Sequence, residues 1–128
     1  MVKNELKGKA FLNCLLKFET EINEKTAELA YWKEQDGLHG NELLTEDIRK
    51  REEDLRTLIA SMTEKKLMAT RLIDSMSDPV GRAVLRRRYI LCDTWAKIAN
   101  ACGRMSERNA HYIHDQALLD FEKIYCGG

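Results

Sequence analysis

Apolar side chains in the first 77 residues recur every three or four positions, which is the spacing of amphipathic helices. The stripe of the first predicted helix consists of Phe11, Leu15, Phe18, Ile22, Leu29 and Trp32. Lys25 interrupts this stripe, and the helix is expected to end near Asp36. The helix breakers that follow Asp36 are Gly37, Gly40 and Asn41.

A second helix is predicted to begin at Thr45, because a Thr side chain caps free amides and the following Glu46 and Asp47 suit the helix dipole. Its apolar stripe consists of Ile48, Leu55, Ile59, Met62, Ala69, Ile73 and Met76, with polar interruptions at Glu52 and Lys66. Two helices of similar length joined by about ten residues predict an antiparallel helical hairpin over residues 1–77.

A third helix is predicted over residues 80–90. Asp78 is a good capping residue, and Pro79 suits the first helical position, where a missing N–H costs nothing. The pattern therefore marks a new segment, residues 78–128, after the hairpin.

Two more helices follow in this segment. Asp93 or Thr94 is expected to cap a short helix over residues 95–102, which Gly103 ends. Ser106 then caps a final helix, whose apolar face consists of Ala110, Ile113, Ala117, Leu118, Phe121 and Ile124.

Composition agrees with an all-α fold, because 128 residues include only seven Gly and one Pro and 33% are charged. The four cysteines show no CxxC spacing and no signal sequence precedes them, so a cytoplasmic location is expected. No apolar run reaches the roughly 20 residues that a membrane-spanning helix needs. We therefore expect no membrane partner.

The charges are balanced, with 21 basic and 21 acidic side chains, so the overall positive field of many nucleic-acid-binding proteins is missing. The balance differs along the chain, since residues 78–128 carry 8 basic and 6 acidic side chains, against 13 and 15 in residues 1–77. The C-terminal segment is slightly basic.

Two short helices around a Gly-containing turn are typical of a helix-turn-helix, whose second helix enters the DNA major groove. Trp95 is then expected to be a core anchor of this unit. The runs LRRRYI (85–90), TWAKIA (94–99), SER (106–108) and HDQAL (114–118) resemble region four of bacterial sigma factors. They resemble still more closely the sigma-like regulators encoded by phages and prophages of Gram-positive bacteria.

The resemblance covers about residues 78–125 and implies a sequence-specific, DNA-binding transcriptional regulator. Residues 78–128 would be its DNA-binding domain, and the hairpin of residues 1–77 would serve oligomerisation or partner binding. Double-stranded DNA is the implied ligand, and RNA polymerase is a candidate partner.

The resemblance also suggests which residues contact DNA. The candidates for base contacts are Glu107, Arg108, Asn109, His111 and Tyr112. The candidates for phosphate contacts are Arg86, Arg87, Arg88, Lys97, Arg104 and Ser106. One departure from the family pattern is an extra residue around Arg104 and Met105, which leaves the angle between the two helices open.

A rival interpretation is a structural or adaptor coiled-coil protein whose C-terminal helices do not bind DNA. The zero net charge and the additional turn residue favour it. On either interpretation a homodimer or higher oligomer is expected, because the flanking residues Leu58, Leu67 and Leu72 widen the apolar stripe beyond what one helix covers.

No Gly-rich phosphate loop, nucleophile elbow or HExxH motif is present, so we expect no enzyme, catalytic residue, cofactor or small-molecule substrate. The spacing of Cys92, Cys102, His111 and His114 matches no common zinc site, and no metal is expected. The remaining cysteines are Cys14 and Cys126.

Overall fold

The computed structural model describes residues 6–127, and within that range it contains helices and no strand. The five helices are α1 (Lys7–His39), α2 (Glu42–Asp74), α3 (Pro79–Leu85), α4 (Trp95–Ala101) and α5 (Glu107–Tyr125). One π-helical turn, Arg86–Ile90, continues α3. The all-α fold and the antiparallel α1–α2 hairpin are confirmed. None of the described helices is long and apolar enough to span a membrane.

The hairpin turn is much tighter than predicted. Helix α1 continues through Gly37 to His39 and α2 begins at Glu42, so the expected end near Asp36 is wrong. The expected Thr45 cap is also wrong, because the side chain of Asn41 accepts a hydrogen bond from the amide of Leu44 at 2.9 Å. A glycine inside a helix costs only about 1 kcal/mol, so Gly37 does not end α1.

The chain forms two compact units, of which one comprises residues 17–64. Its buried core consists of Ile22, Leu29, Ile48 and Leu55. Lys25, which interrupts the predicted apolar stripe, is exposed. The prediction for Ile59 is wrong, since it is 39% exposed while Leu58 packs against the core. In this unit, the apolar stripe of α2 runs through Leu55, Leu58 and Met62.

The other compact unit combines residues 1–16 with residues 65–128. Among its described residues, both ends of the hairpin share one core with the C-terminal helices. That core contains Leu12, Leu15, Ala69, Ile73, Met76, Leu85, Tyr89, Ala117, Leu118 and Phe121. Leu12 is fully buried where the stripe had placed Phe11, which is only partly buried.

The predicted caps of the C-terminal helices are confirmed. Asp78 accepts hydrogen bonds from the amides of Val80 and Gly81. Thr94, rather than Asp93, caps α4, and its hydroxyl accepts from the amide of Lys97 at 3.3 Å. These side chains fix where the helices begin, because free amides at a helix start require acceptors.

An unpredicted contact joins the two ends of the chain. The Glu122 carboxylate on α5 accepts hydrogen bonds from the amides of Gly8 at 2.6 Å and Lys7 at 3.1 Å. A β-carbon on Gly8 would lie 2.8 Å from Phe121 Cδ1, so only glycine allows this close approach. Glu122 therefore caps the first turn of α1 from a distant helix.

Candidate nucleic-acid interface

Helices α4 and α5 pack on α3 through a small apolar core. Its fully buried members are Val84, Ile98, Ala99 and Ala110. Trp95, Cys102, Met105 and Ile113 pack against it. Ala99 and Ala110 are small, which lets α4 and α5 approach closely. This core holds α5 so that the outer side of its first turns faces solvent.

The turn between α4 and α5 contains two consecutive residues in the left-handed region. Gly103 has φ 111° and Arg104 has φ 54°. The amide of Met105 donates to the carbonyl of Ala99 at 3.0 Å, which closes the turn. Arg104 is thus a non-glycine residue in a conformation that favours glycine.

Four of the five proposed base-contact residues form an exposed group at the start of α5. Glu107, Arg108, Asn109 and Tyr112 all belong to the first turn and a half, and Tyr112 is 63% exposed. The Ser106 hydroxyl caps the helix by accepting from the Asn109 amide at 3.1 Å. No carboxylate among residues 6–127 forms an ion pair with Arg108. Its guanidinium donors therefore remain available to a ligand.

His111, the fifth candidate, is in a different situation. Its ring lies against the indole of Trp95, with centroids 3.8 Å apart and planes 31° apart. The residue as a whole is exposed, but one ring face is covered by the indole. Trp95 is partly buried in the core of α3, α4 and α5, as expected of an anchor.

The three consecutive arginines on the π-helical turn are all engaged within the protein. Arg86 pairs with Asp74 at 2.7 Å, and Arg87 pairs with Asp93 at 3.1 Å. Arg88 donates to the carbonyl of Asp93 at 3.3 Å, and its guanidinium lies 4.9 Å from the centre of the Trp95 ring. Sequence reasoning missed these partners.

The other proposed phosphate contacts are more accessible. Lys97 and Arg104 are exposed, and within the described chain neither forms an ion pair with a carboxylate. Ser106 uses its oxygen as the cap acceptor and keeps its hydroxyl hydrogen as a donor. The start of α5 also carries the positive end of the helix dipole, which favours an anion there.

A buried hydrogen bond ties the π-helical turn to α5. The Tyr89 hydroxyl lies 2.6 Å from Nε2 of His114, whose Nδ1 lies 3.2 Å from the Asp115 carboxylate. Burial lowers the pKa of His114, which favours the neutral ring. In the neutral tautomer with the proton on Nδ1, Nε2 accepts from the Tyr89 hydroxyl and Nδ1 donates to Asp115. Burial also raises the pKa of Tyr89 to about 12. One signal in the sequence points to this pair: a histidine next to the apolar face of α5.

The four cysteines are free thiols. Across residues 6–127, no cluster of three or more His, Cys, Asp or Glu side chains is arranged to hold a metal ion.

Comparison with known proteins gives no match: no family model fits this chain, and no curated protein or solved structure is similar to it.

Proposed function

We propose that this protein binds double-stranded DNA sequence-specifically and regulates transcription, with α4, the turn and α5 acting as a helix-turn-helix. The observation that carries the proposal is the exposed group of polar side chains on the first turns of α5, in which Arg108 forms no ion pair with a carboxylate of residues 6–127. These residues extend outward from a helix whose opposite side is anchored by Ala110 and Ala117. This is the arrangement by which a recognition helix reads base edges in the major groove.

Each side chain in this group suits a particular base. The planar fork of Arg108 matches the O6 and N7 acceptors of guanine, and Asn109 matches adenine. Glu107 accepts from the N4 amino group of cytosine, and the Tyr112 ring offers an apolar surface to a thymine methyl group. A good bidentate contact contributes roughly 1 to 3 kcal/mol of discrimination, so Arg108 dominates the expected specificity.

Phosphate binding is assigned first to Lys97, Arg104 and Ser106, because these groups lie near the start of α5 with donors available. Arg86 and Arg87 would have to exchange an internal carboxylate for a phosphate. An exposed ion pair contributes about 0 to 1 kcal/mol, so the exchange adds little net affinity. Arg86 and Arg87 are therefore expected to add less affinity for phosphate than two free arginines would.

The adaptor function is retained as a second candidate on one specific observation. The internal engagement of Arg86, Arg87 and Arg88 removes much of the positive charge that the C-terminal segment offers to DNA. Asp115 and Asp120 also lie exposed on α5 and would repel phosphate. In this alternative the outer side of α5 contacts another protein.

The origin and assembly belong to the same proposal. We propose a phage or prophage regulator that acts in the cytoplasm as a homodimer, with the hairpin as the oligomerisation element and RNA polymerase as a candidate partner. A dimer would read two half-sites separated by about one helical turn of DNA or a multiple of it.

Selection of bound sites from random duplex DNA tests the proposal. Repeated selection with the purified full chain is expected to enrich one motif of a few base pairs, with a guanine at the position that Arg108 reads. A scrambled version of the enriched duplex is the control. A pool that stays random after selection would contradict the DNA-binding function and favour the adaptor.

A further inference from the structure

We infer that His111 is a positioning residue, which sets the angle of α5 against α4 through its contact with Trp95, and that it does not read a base. The inference rests on the proposed DNA-binding function and refines the site that this function uses. It assigns His111 a role different from that of its neighbours Arg108 and Tyr112.

The first step is the way Trp95 is held. Arg88 places its guanidinium 4.9 Å from the indole centre and is itself bonded to the Asp93 carbonyl. His114 meets the same indole edge-on, with centroids 5.0 Å apart and planes 88° apart. The indole is therefore held by Arg88 from the π-helical turn and by His114 from α5 itself. A ring held in this way provides a defined surface on which His111 of α5 can pack.

The second step is that the His111 ring adds a contact at the exposed side of the interface between α4 and α5. The buried residues where these helices meet include Ala99 and Ala110, and Met105 and Ile113 pack against them. A β-carbon added to Gly103 would meet no atom within 4 Å, so this part of the turn is not braced by side chains. The ring contact at 3.8 Å adds a large area at the exposed edge of this interface, where it resists a roll of α5 against α4.

The third step links the angle between α4 and α5 to the base contacts proposed for Arg108 and Tyr112. His111 lies three residues after Arg108 and directly before Tyr112. At 1.5 Å rise per residue, the His111 contact is about 4.5 Å along the axis from Arg108. A roll of α5 at this point moves both flanking side chains across the base edges. Bidentate pairing tolerates little displacement, so specificity should suffer at several base pairs together.

The test compares His111→Ala, which removes the ring, with His111→Phe, which keeps a flat ring but has no hydrogen-bonding group. Gln116→Ala, an exposed change about one and a half turns further along α5, is the control. Affinities are measured for the selected duplex and for all its single base-pair variants. His111→Ala should lower the preference about tenfold at each position read by Arg108 and Tyr112, the equivalent of one lost contact. His111→Phe should retain the wild-type preferences.

Three results would overturn the inference. If both variants lose preference at one base pair and keep it elsewhere, His111 contacts that base. If His111→Ala keeps every preference, the ring contact does not position α5. A wild-type protein without any sequence preference contradicts the proposed function itself, which the wild-type measurement alone reveals. Should His111→Ala fail to fold, His111→Leu, which keeps bulk without a ring face, replaces it and must show the same loss.

Discussion

The side chains around the start of α5 differ in how much of their hydrogen-bonding capacity the fold already uses. Arg86 gives one of its guanidinium nitrogens to Asp74, whereas Arg108 has no carboxylate partner among the described residues. Ligand binding uses donors that are free, since a donor taken from an internal partner returns little net free energy. If this surface binds DNA as proposed, we therefore expect the accessibility of donors, more than the number of arginines, to determine which residues contact it.

We predict that Arg108→Ala abolishes sequence preference and leaves residual DNA binding. The preference should fall by the roughly 10- to 100-fold that a bidentate contact to guanine contributes. The measurement is the ratio of affinities for the selected and scrambled duplexes at fixed salt. Arg71→Ala, an exposed arginine on α2, is the matched control and should keep the ratio. An unchanged ratio in Arg108→Ala would place the base contact elsewhere.

At the residue level, the sequence predicted which side chains belong to the candidate site, but not which of them already have partners within the protein. Glu107, Arg108 and Tyr112 could be placed on the outer side of α5 because the apolar face of that helix is regular. The partner of Arg86 lies twelve positions earlier on another helix, and no local pattern indicates it. The stacking of His111 on Trp95 likewise depends on the angle between two helices, which the unusual turn left open.

Among the helices, capping residues predicted where a helix begins, whereas glycines did not predict where α1 ends. Asp78, Thr94 and Ser106 cap their helices as predicted, because a capping side chain acts on amides two or three residues away. The hairpin turn was predicted wrongly, because its glycines suggested a long loop. Burial along both long helices outweighs the small cost of Gly37 inside α1.

Asn41→Ala should destabilise the protein more than Thr45→Ala does. Asn41 caps the first turn of α2, and loss of such a cap costs about 0.5 to 2 kcal/mol. Thr45 lies within α2 and donates an exposed hydrogen bond to Asp36 at 3.1 Å, which contributes less. Denaturant unfolding of both variants measures the difference. A larger loss in Thr45→Ala would contradict the two-residue turn.

The cap that Glu122 provides for α1 should make stability depend on pH. The amide hydrogen bond from Gly8 is the main reason that the pKa of Glu122 is lowered in the folded protein. A lowered pKa means that this stabilisation is complete above the unfolded value, about 4.3, and is lost as pH falls through the folded value. Glu122→Gln should therefore unfold at lower temperature at pH 7 and lose less on acidification.

Thermal unfolding between pH 7 and pH 3 measures this effect. Asp120→Asn is the control, since this exposed carboxylate on the same helix caps nothing and should follow the wild type. If the difference between wild type and Glu122→Gln were the same at pH 7 and pH 3, the carboxylate would not be the group that caps α1.

At the scale of the whole molecule, the hairpin leaves several large apolar side chains exposed. Leu67 and Met68 on α2 are each 52% exposed, and Leu43 at the turn is 86% exposed. Of the three leucines that flank the predicted apolar stripe, Leu58 and Leu72 are partly buried and Leu67 is exposed. Large exposed apolar residues often mark surfaces for association.

We predict that the protein is a homodimer or higher oligomer at micromolar concentration. Burial of the exposed leucines in a second copy would supply the driving force. Sedimentation equilibrium measures the mass, and Leu67→Gln should shift the equilibrium toward the monomer. A monomer of wild-type protein at every concentration tested would contradict this prediction, and the hairpin would then pack only on itself.

We propose that, despite a net charge of zero, the protein has a local surface at the start of α5 that binds DNA. A salt titration of binding to the selected duplex tests it most directly, because each neutralised phosphate contributes about 0.9 to the slope of log affinity against log salt. We expect a steep slope in the wild type, a slope shallower by about 0.9 in Lys97→Ala, and no change in Arg86→Ala, whose guanidinium serves Asp74. Binding that is absent, or weak and independent of salt, would contradict the account and favour the adaptor.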